Sequence, residues 1–387
     1  MEVLLHRRGV ALALIVIFGV VAFHNTFDNS FHYDDDHSIL QNPHIRSLQS
    51  IPAFFVDPGT FSGLPEARMY RPIVLVSYAF NYALGGYEVF GYHLVNLLLH
   101  LLNAWLLWKL GQRLLRHREA ALFAALVFAL HPLMTEPVNY ISSRSSLLAT
   151  AFYLCGFWVL VRAADSSSSG PHAAWIALLY LGALAAKSIA FTFPLVGAVY
   201  LYLLTQRRSW HLLLAPLVLS FGYLLLTRAI VGKALFEPVR SHWVQWATQI
   251  KALAYYLWTT ILPVHLSVEP QFQVAQGLWN GPVLLTGALV LSVVLIAGWG
   301  RAHKRLAVFG LAWFFLTLLP SALVPLYVLV NEHRLYLPLA GAALALGALF
   351  PGQGRWAWGN RGSDSAGLAG PLRPAQPGLE GRGEPMG

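Results

Sequence analysis

The chain reads as an all-α, polytopic membrane protein with about 10–11 crossings and a long first extracytoplasmic loop, on three counts. Of its 387 residues 57% are hydrophobic and only 11% charged, whereas a soluble domain carries roughly 25% charged residues. There is too little polar surface to cover a water-exposed globule. Apolar runs recur along the chain, many near the roughly 20 residues that a helix needs to cross a bilayer core. The basic residues behind the formal charge of +9 lie in short clusters between these runs, the distribution of cytoplasmic loops. No nucleic-acid partner is expected.

Taken in order, "RRGVALALIVIFGVVAF" at 7–23 has a basic flank and no small-x-small cleavage site after it, so it reads as an uncleaved first helix with its N-terminus inside. Residues 26–90 then form the outer loop. "YHLVNLLLHLLNAWLLWKL" returns the chain to basic "KLGQRLLRHRE". Spans near 120–131 and 146–161 enclose "HPLMTEPVNYISSRSS" on the outer side. Two short apolar segments over 173–205 are interrupted at Lys187, and "QRR" (206–208) falls inside. A further span lies near 211–227. The stretch 247–264 carries Lys251 and Pro263 near its ends and is assigned to the interface or to a re-entrant segment, which keeps "RAHKR" (301–305) inside. Spans near 282–299, 306–328 and 335–350 complete the 1–350 membrane domain.

Residues 351–387 are rich in Gly and Pro with few aliphatic side chains, too little apolar surface to offset the entropy of ordering, and disorder is expected. No repeat of 30–40 residues appears. The single cysteine, Cys155, sits in an apolar run and allows no intrachain disulfide. No HxxxH or HxH spacing suggests zinc, and neither a P-loop nor a G-x-S-x-G is present.

With this topology the polar groups collect on the outer side at the ends of spans, where a charge costs less than the ~3 kcal/mol or more of the bilayer centre. Asp34, Asp35 and Asp36 stand side by side in a chain with only 17 acidic residues. A charge run is usually a solvated loop; clustered carboxylates can also raise one another's pKa and supply a general base, or hold Mg²⁺ or Mn²⁺. "YRP" (70–72) suits a helix beginning at Pro72, with Arg71 beside its anion-attracting N-terminus. Arg144 is a snorkelling residue or, within "SSRSS" (142–146), a phosphate contact. Lys187 interrupts what would otherwise be one helix. His131 and His333 are lone histidines, more often structural than ligands. Carboxylates and scattered cations at a membrane face suit a lipid-linked phosphate. The cations would hold the phosphate and a carboxylate would deprotonate an incoming acceptor.

The blocks "YDDDHSILQNPHI", "YRPIVLVSYAFNYALGGYEVFGYHLVNLLLH", "FALHPLMTEPVNYISSRSSLLATAFYL", "AAKSIAFTFPLVGAVY" and "NEHRLYLPLAGAALALG" resemble, in order, the membrane part of the TMTC (transmembrane and TPR-containing) protein O-mannosyltransferases, which have bacterial relatives. The resemblance implies a GT-C fold with its active site in the first long extracytoplasmic loop. It implies transfer of mannose or a similar hexose from a polyprenyl- or dolichyl-phosphate donor to a protein or glycan acceptor, with inversion and without a required metal. Asp34 and Asp35 match the family's acidic pair, so one of them is expected to be the base, Asp35 first, with Asp36 a weaker third. Arg71, Arg144, Lys187 and Arg334 are expected as donor-phosphate contacts. Glu136 and Glu332 would orient those cations, and His333 would support them.

The sequence departs from the family in two places. Ser188 follows Lys187 where an acidic residue is expected, and the Gly/Pro tail stands where the TPR array normally follows. The expected protein is thus a bacterial-like member without that array, in an inner membrane with a periplasmic site. A eukaryotic origin would place it in the endoplasmic reticulum with a lumenal site. The competing readings are an inactive or truncated membrane scaffold, and a lipid or ion transporter, which would need mid-span charges and an internal two-fold repeat.

Overall fold

The computed structural model describes residues 8–350 apart from 116, 167–169, 207, 237–238, 299–304 and 326. The expectations for the 351–387 tail, and for most of "RAHKR", fall outside the described residues. Within them the chain is helical and contains no strand. The principal helices are α1 (Arg8–Phe23), α2 (Pro72–Gly85), α3 (Val89–Leu114), α4 (Arg118–Leu130), α5 (Arg144–Asp165), α6 (Gly170–Ala186), α7 (Phe193–Leu204), α8 (Leu214–Phe236), α9 (His242–Ile261), α10 (Gly281–Gly298), α11 (Arg305–Leu323) and α12 (Tyr336–Ala348).

This is a multi-pass membrane fold. Five helical segments among the described residues are long and apolar enough to cross a bilayer, or six if α4 and the turn of helix after it, bent by 54°, count as one. The sequence suggested about ten crossings, and local chemistry explains the difference. Apolar runs are cut at Pro132, at Lys187 and at "YRP", leaving α2, α4, α6, α7 and α12 with 12–17 residues. At 1.5 Å per residue such helices reach roughly 18–25 Å, short of a ~30 Å hydrocarbon core. Helix α9, in the stretch assigned to the interface, is not among the five. It exposes Trp243, Trp246 and Trp258 and turns Gln245 and Gln249 inward onto carbonyls of Ser321, Ala322 and Leu329.

Two hydrophobic clusters organise the molecule. The larger joins α1 and α3–α9 with α11 and α12. Where α11 crosses α12, a Cβ on Gly310 would lie 2.5 Å from the Gly341 carbonyl oxygen, and one on Gly341 would lie 2.6 Å from that of Gly310. Only glycine permits this approach, as at small-residue crossings of membrane helices. The smaller cluster seats the first loop on α2: Ile39, Ile45, Phe54 and Phe61 pack against Val74, Leu75, Tyr78, Tyr92 and Ile141. Pro72 starts α2 as expected, and Gly86, at φ +59°, ends it.

Helix α3 ties these clusters together with polar side chains on one face. His93, Asn96, His100 and Asn103 follow a 3-4-3 spacing, which stacks them along one side of a helix, and all are fully buried. His100 bonds the Tyr336 hydroxyl and the Ala129 carbonyl, both at 2.9 Å. Asn103 donates to Leu147 O and to the Tyr336 hydroxyl. Buried amides and imidazoles with partners on three other segments fix how those segments sit.

Candidate functional site

The site is built around a sharp turn. Tyr33 has φ +51°, alone among the described non-glycine residues in the left-handed region, a conformation that costs an ordinary residue about 1–3 kcal/mol. Its effect is to send neighbouring side chains in opposite directions. Tyr33 is 67% exposed and Asp35 only 1%. Asp35 Oδ1 accepts from the Ser142 N–H at 2.8 Å and the Ser142 hydroxyl at 2.6 Å, and Oδ2 accepts from the His32 N–H at 3.0 Å. Burial raises its pKa above the ordinary carboxylate value against the pull of those bonds. Asp34, by contrast, has a side chain 62% exposed, with His37 Nε2 at 3.6 Å. Its backbone N–H donates to the Tyr140 hydroxyl at 3.1 Å. Asp36 is exposed and accepts from Gln41 Nε2 at 2.6 Å.

The three carboxylates therefore do not converge. Among the described residues no group of three or more His, Cys, Asp or Glu is placed to hold a metal ion.

"SSRSS", at the start of α5, divides into three tasks. Ser142 holds Asp35. Arg144 points into the protein and is 0% exposed. It donates to Asn96 Oδ1 at 2.9 Å and to Tyr92 O at 2.8 Å, reaches Asn81 Oδ1, and lies over the Tyr78 and Tyr92 rings. The expectation that Arg144 contacts a donor phosphate is corrected here, because its guanidinium is committed to neutral acceptors away from any open surface. Ser145 and Ser146 face the other way. Ser145 Oγ accepts from Arg71 Nη1 at 3.4 Å, and Ser146 Oγ accepts from Lys187 Nζ at 2.7 Å.

Arg71, Lys187 and Arg334 come together from three distant segments. Each is partly buried, and no carboxylate among the described residues lies within salt-bridge distance of any of them. Burial, followed by the charges of Arg71 and Arg334, holds the Lys187 ammonium well below the usual lysine range. His333 is likewise depressed, by burial and then by Lys187, Arg334 and Arg71. Arg334 additionally donates to Leu329 O and Val328 O at 3.0 and 2.9 Å, which anchors it at the cluster. Glu136, beyond salt-bridge distance, offsets only part of the repulsion that Lys187 feels, and a bound anion would relieve the rest.

Neither glutamate forms a salt bridge with these cations, although Glu136 lies near enough to Lys187 and Arg334 for their charges to act on its carboxyl. Glu136 Oε1 sits 2.9 Å from His333 Nδ1. Glu332 Oε1 accepts from the Tyr255 hydroxyl at 2.8 Å and from the Ser267 N–H at 2.9 Å. Both glutamates line a cavity of about 300 Å³ between the Tyr33 turn and the 266–268 segment.

Sequence reading found the cations and the acidic turn and missed their supports. Tyr33, Asn81, Asn96, Asn139 and Tyr140 lie inside the quoted blocks without having been singled out, Ser142 was read only as part of "SSRSS", and Tyr255 lies outside them. For Asn96 a signal existed: amide and imidazole residues three and four apart inside an apolar run.

Comparison with known proteins adds to this geometry. A family profile described as dolichyl-phosphate-mannose-protein mannosyltransferase matches residues 72–232. That segment holds Glu136, Arg144 and Lys187 and lies outside the Asp triplet, Arg71 and Glu332–Arg334. The protein O-mannosyl-transferase Tmtc3 of Drosophila melanogaster is 29% identical over 239 residues, 53% of this chain and 26% of the relative. F38B6.6 of Caenorhabditis elegans, also named a protein O-mannosyl-transferase, is 23% identical over 357 residues, 88% of this chain and 51% of the relative. TMTC4 of Homo sapiens is 30% identical over 187 residues, 43% of this chain and 25% of the relative. The chain thus spans between about a quarter and about half of these relatives' length. No solved structure matches.

Proposed function

We propose that this chain, similar to the TMTC-type protein O-mannosyltransferases of the GT-C class, transfers a hexose from a polyprenyl- or dolichyl-phosphate donor to a protein or glycan acceptor on the extracytoplasmic face of its membrane. The observation that carries the reading is the gathering of Arg71, Lys187 and Arg334 with no carboxylate of the described residues in salt-bridge distance, beside a turn that exposes one. The relatives' names and the matching family profile support it. The mannose donor and the identity of the membrane, a bacterial inner membrane or the endoplasmic reticulum, belong to the same proposal.

In this reading the donor phosphate occupies the cation cluster near the N-terminal end of α5, whose dipole adds to the attraction. Asp34 is the base, an assignment that favours the exposed aspartate over Asp35, since a base must reach the acceptor. The acceptor O–H gives its proton to the Asp34 carboxylate while its oxygen attacks the anomeric carbon from the face opposite the phosphate. The carbon–oxygen bond to phosphate breaks, and its electron pair leaves on the lipid phosphate, whose charge Arg71, Lys187 and Arg334 stabilise. The anomeric configuration inverts. Asp35 positions the base: its bonds to Ser142 and His32 hold the turn that presents Asp34. Arg144 belongs to the wall.

Sugar transfer from radiolabelled polyprenyl-phosphate-mannose and polyprenyl-phosphate-glucose by purified protein in detergent, with water or mixed peptides as acceptor, tests this. Asp34→Asn is expected to lower turnover by about 10²–10⁴-fold while donor affinity stays within a few-fold. Asp35→Asn is expected to lower turnover together with the unfolding temperature. Full turnover in Asp34→Asn removes Asp34 as the base, and failure of the wild type to bind either donor overturns the transferase reading.

A further inference from the structure

Helix α9 is amphipathic in the opposite sense to a surface helix of a soluble protein. Gln245, Thr248, Gln249, Ala252, Tyr256 and Thr259 recur every three or four residues and are buried, so a mostly polar stripe faces the protein. Gln245 and Gln249 donate to the carbonyls of Ser321, Ala322 and Leu329. The Thr248 hydroxyl accepts from the Ala275 N–H at 3.0 Å, and the Tyr256 hydroxyl from the Asn331 N–H at 3.3 Å. At about 100° per residue, Trp243, Trp246, Trp258 and Ile261 fall within about 120° of one another on the opposite face. All four are exposed, Trp243 by 64% and Ile261 by 73%. A large apolar face left open in this way marks a site of interaction.

Both ends of α9 meet the same end of the bundle. Near its start Gln245 reaches the last turn of α11. Near its finish the Thr260 carbonyl lies 3.0 Å from His131 Nε2, one residue past α4. Residues 324–335 join the finish of α11 to the start of α12, where Tyr336 packs on Phe128 of α4 at 5.2 Å, so these helix ends share one level. Helix α9 therefore runs across the bundle rather than through it. Beside its start, Leu323 at the finish of the membrane-spanning α11 is exposed, as are Tyr327 and Val328, and Arg240 ties Gln245 to the Tyr327 carbonyl. The Trp face thus continues a surface that the bilayer already covers. Tryptophan, an apolar ring with one N–H donor, suits the boundary between headgroups and acyl chains. We propose that α9 is an in-plane membrane helix whose Trp face is seated in the phospholipid leaflet at the end of the bundle that carries Glu332 and Arg334. Its buried side bonds Leu329, Asn331 and Glu332, so the leaflet sets the depth of the segment that bears Arg334.

Power-saturation EPR of the full chain in phosphatidylcholine vesicles tests the seat. A nitroxide is placed singly through Trp243→Cys, Ala254→Cys, Trp258→Cys or Ile261→Cys, each combined with Cys155→Ala. Every label is expected to collide more often with oxygen than with a water-soluble nickel chelate. Ala254, midway along the same face, should be no deeper than the deeper of the two ends. A maximum of oxygen exposure at Ala254, with both ends shallow, would mean that α9 crosses the bilayer and overturns the proposal. Labels more open to the chelate than to oxygen would place the face in water, and dipolar broadening between labels of neighbouring molecules would give it to a second copy; either result overturns it. The depth-setting role has its own readout, a label at Tyr327→Cys. Trp243→Ser with Trp246→Ser should lower its oxygen accessibility at least twofold, while Trp243→Phe with Trp246→Phe preserves it. A Tyr327 label unmoved by the serine pair removes that role. The four single labels decide the seat even where the serine pair fails to fold.

Discussion

Arg144 and the Arg71–Lys187–Arg334 cluster are two sets of withdrawn positive charge in one fold, and they are treated in opposite ways. Around Arg144 the protein supplies Asn81, Asn96, the Tyr92 carbonyl and two aromatic faces, so the charge is solvated internally and serves the architecture. Around the other three it supplies a few hydroxyls and carbonyls, one another's charge and, beyond salt-bridge distance, Glu136. Only Ser145 separates Arg144 from Ser146, which holds Lys187. The lesson is that burial of a cation says little about its role. What matters is whether the protein has already met its demands.

The sharpest test of that contrast has the largest expected effect. Arg144→Ala strands several buried acceptors at roughly 1–3 kcal/mol each, so the unfolding temperature in detergent should fall steeply or folded protein should not be recovered. Arg144→Lys should not restore it, because a single ammonium cannot replace the planar fan of donors. An Arg144→Ala protein that melts like the wild type but binds lipid phosphate weakly would return Arg144 to the ligand and collapse the comparison.

The complementary substitutions should show the reverse pattern. Arg71→Ala and Arg334→Ala are expected to weaken binding of the phosphate-bearing lipid by about 10–100-fold, the worth of one charge-assisted hydrogen bond. Their unfolding temperatures should stay close to that of the wild type. Loss of fold without a separate loss of affinity would make these residues structural, like Arg144.

The smallest effect lies in the pH dependence of stability. Folded Lys187 releases its proton well below the 10.5 of an ordinary lysine. Between those two values the unfolded chain holds more protons than the folded one, so the contribution of Lys187 to stability rises with pH. Lys187→Met should remove that slope. Bound polyprenyl phosphate should flatten it by restoring the folded lysine's affinity for its proton. A slope indifferent to both would mean that the cluster neither represses Lys187 nor receives an anion.

Much of this was present in the amino-acid order. The helical membrane class follows from hydropathy and charge placement. The start of α2 follows from Pro72, and the gathering of Asp34, Arg71, Lys187 and Arg334 at span ends follows from the cost of charge inside a bilayer. Asp34 and Asp35 show where such reasoning stops. As neighbours of identical chemistry they could not be ranked until the Tyr33 turn put one at the surface and tied the other to Ser142. Glu136 and Glu332 were expected to serve the cations; one bonds His333 and the other meets Tyr255 and Ser267.

By itself, then, the sequence determined the solvent this protein lives in and which residues are costly enough to need an explanation, because transfer free energy and helix chemistry are local properties of side chains. Only the tertiary structure decided what each charge does. Whether Arg144 is solvated by Asn96, and which charges Lys187 faces, depends on contacts between residues 41–147 positions apart. No local pattern encodes distances of that kind.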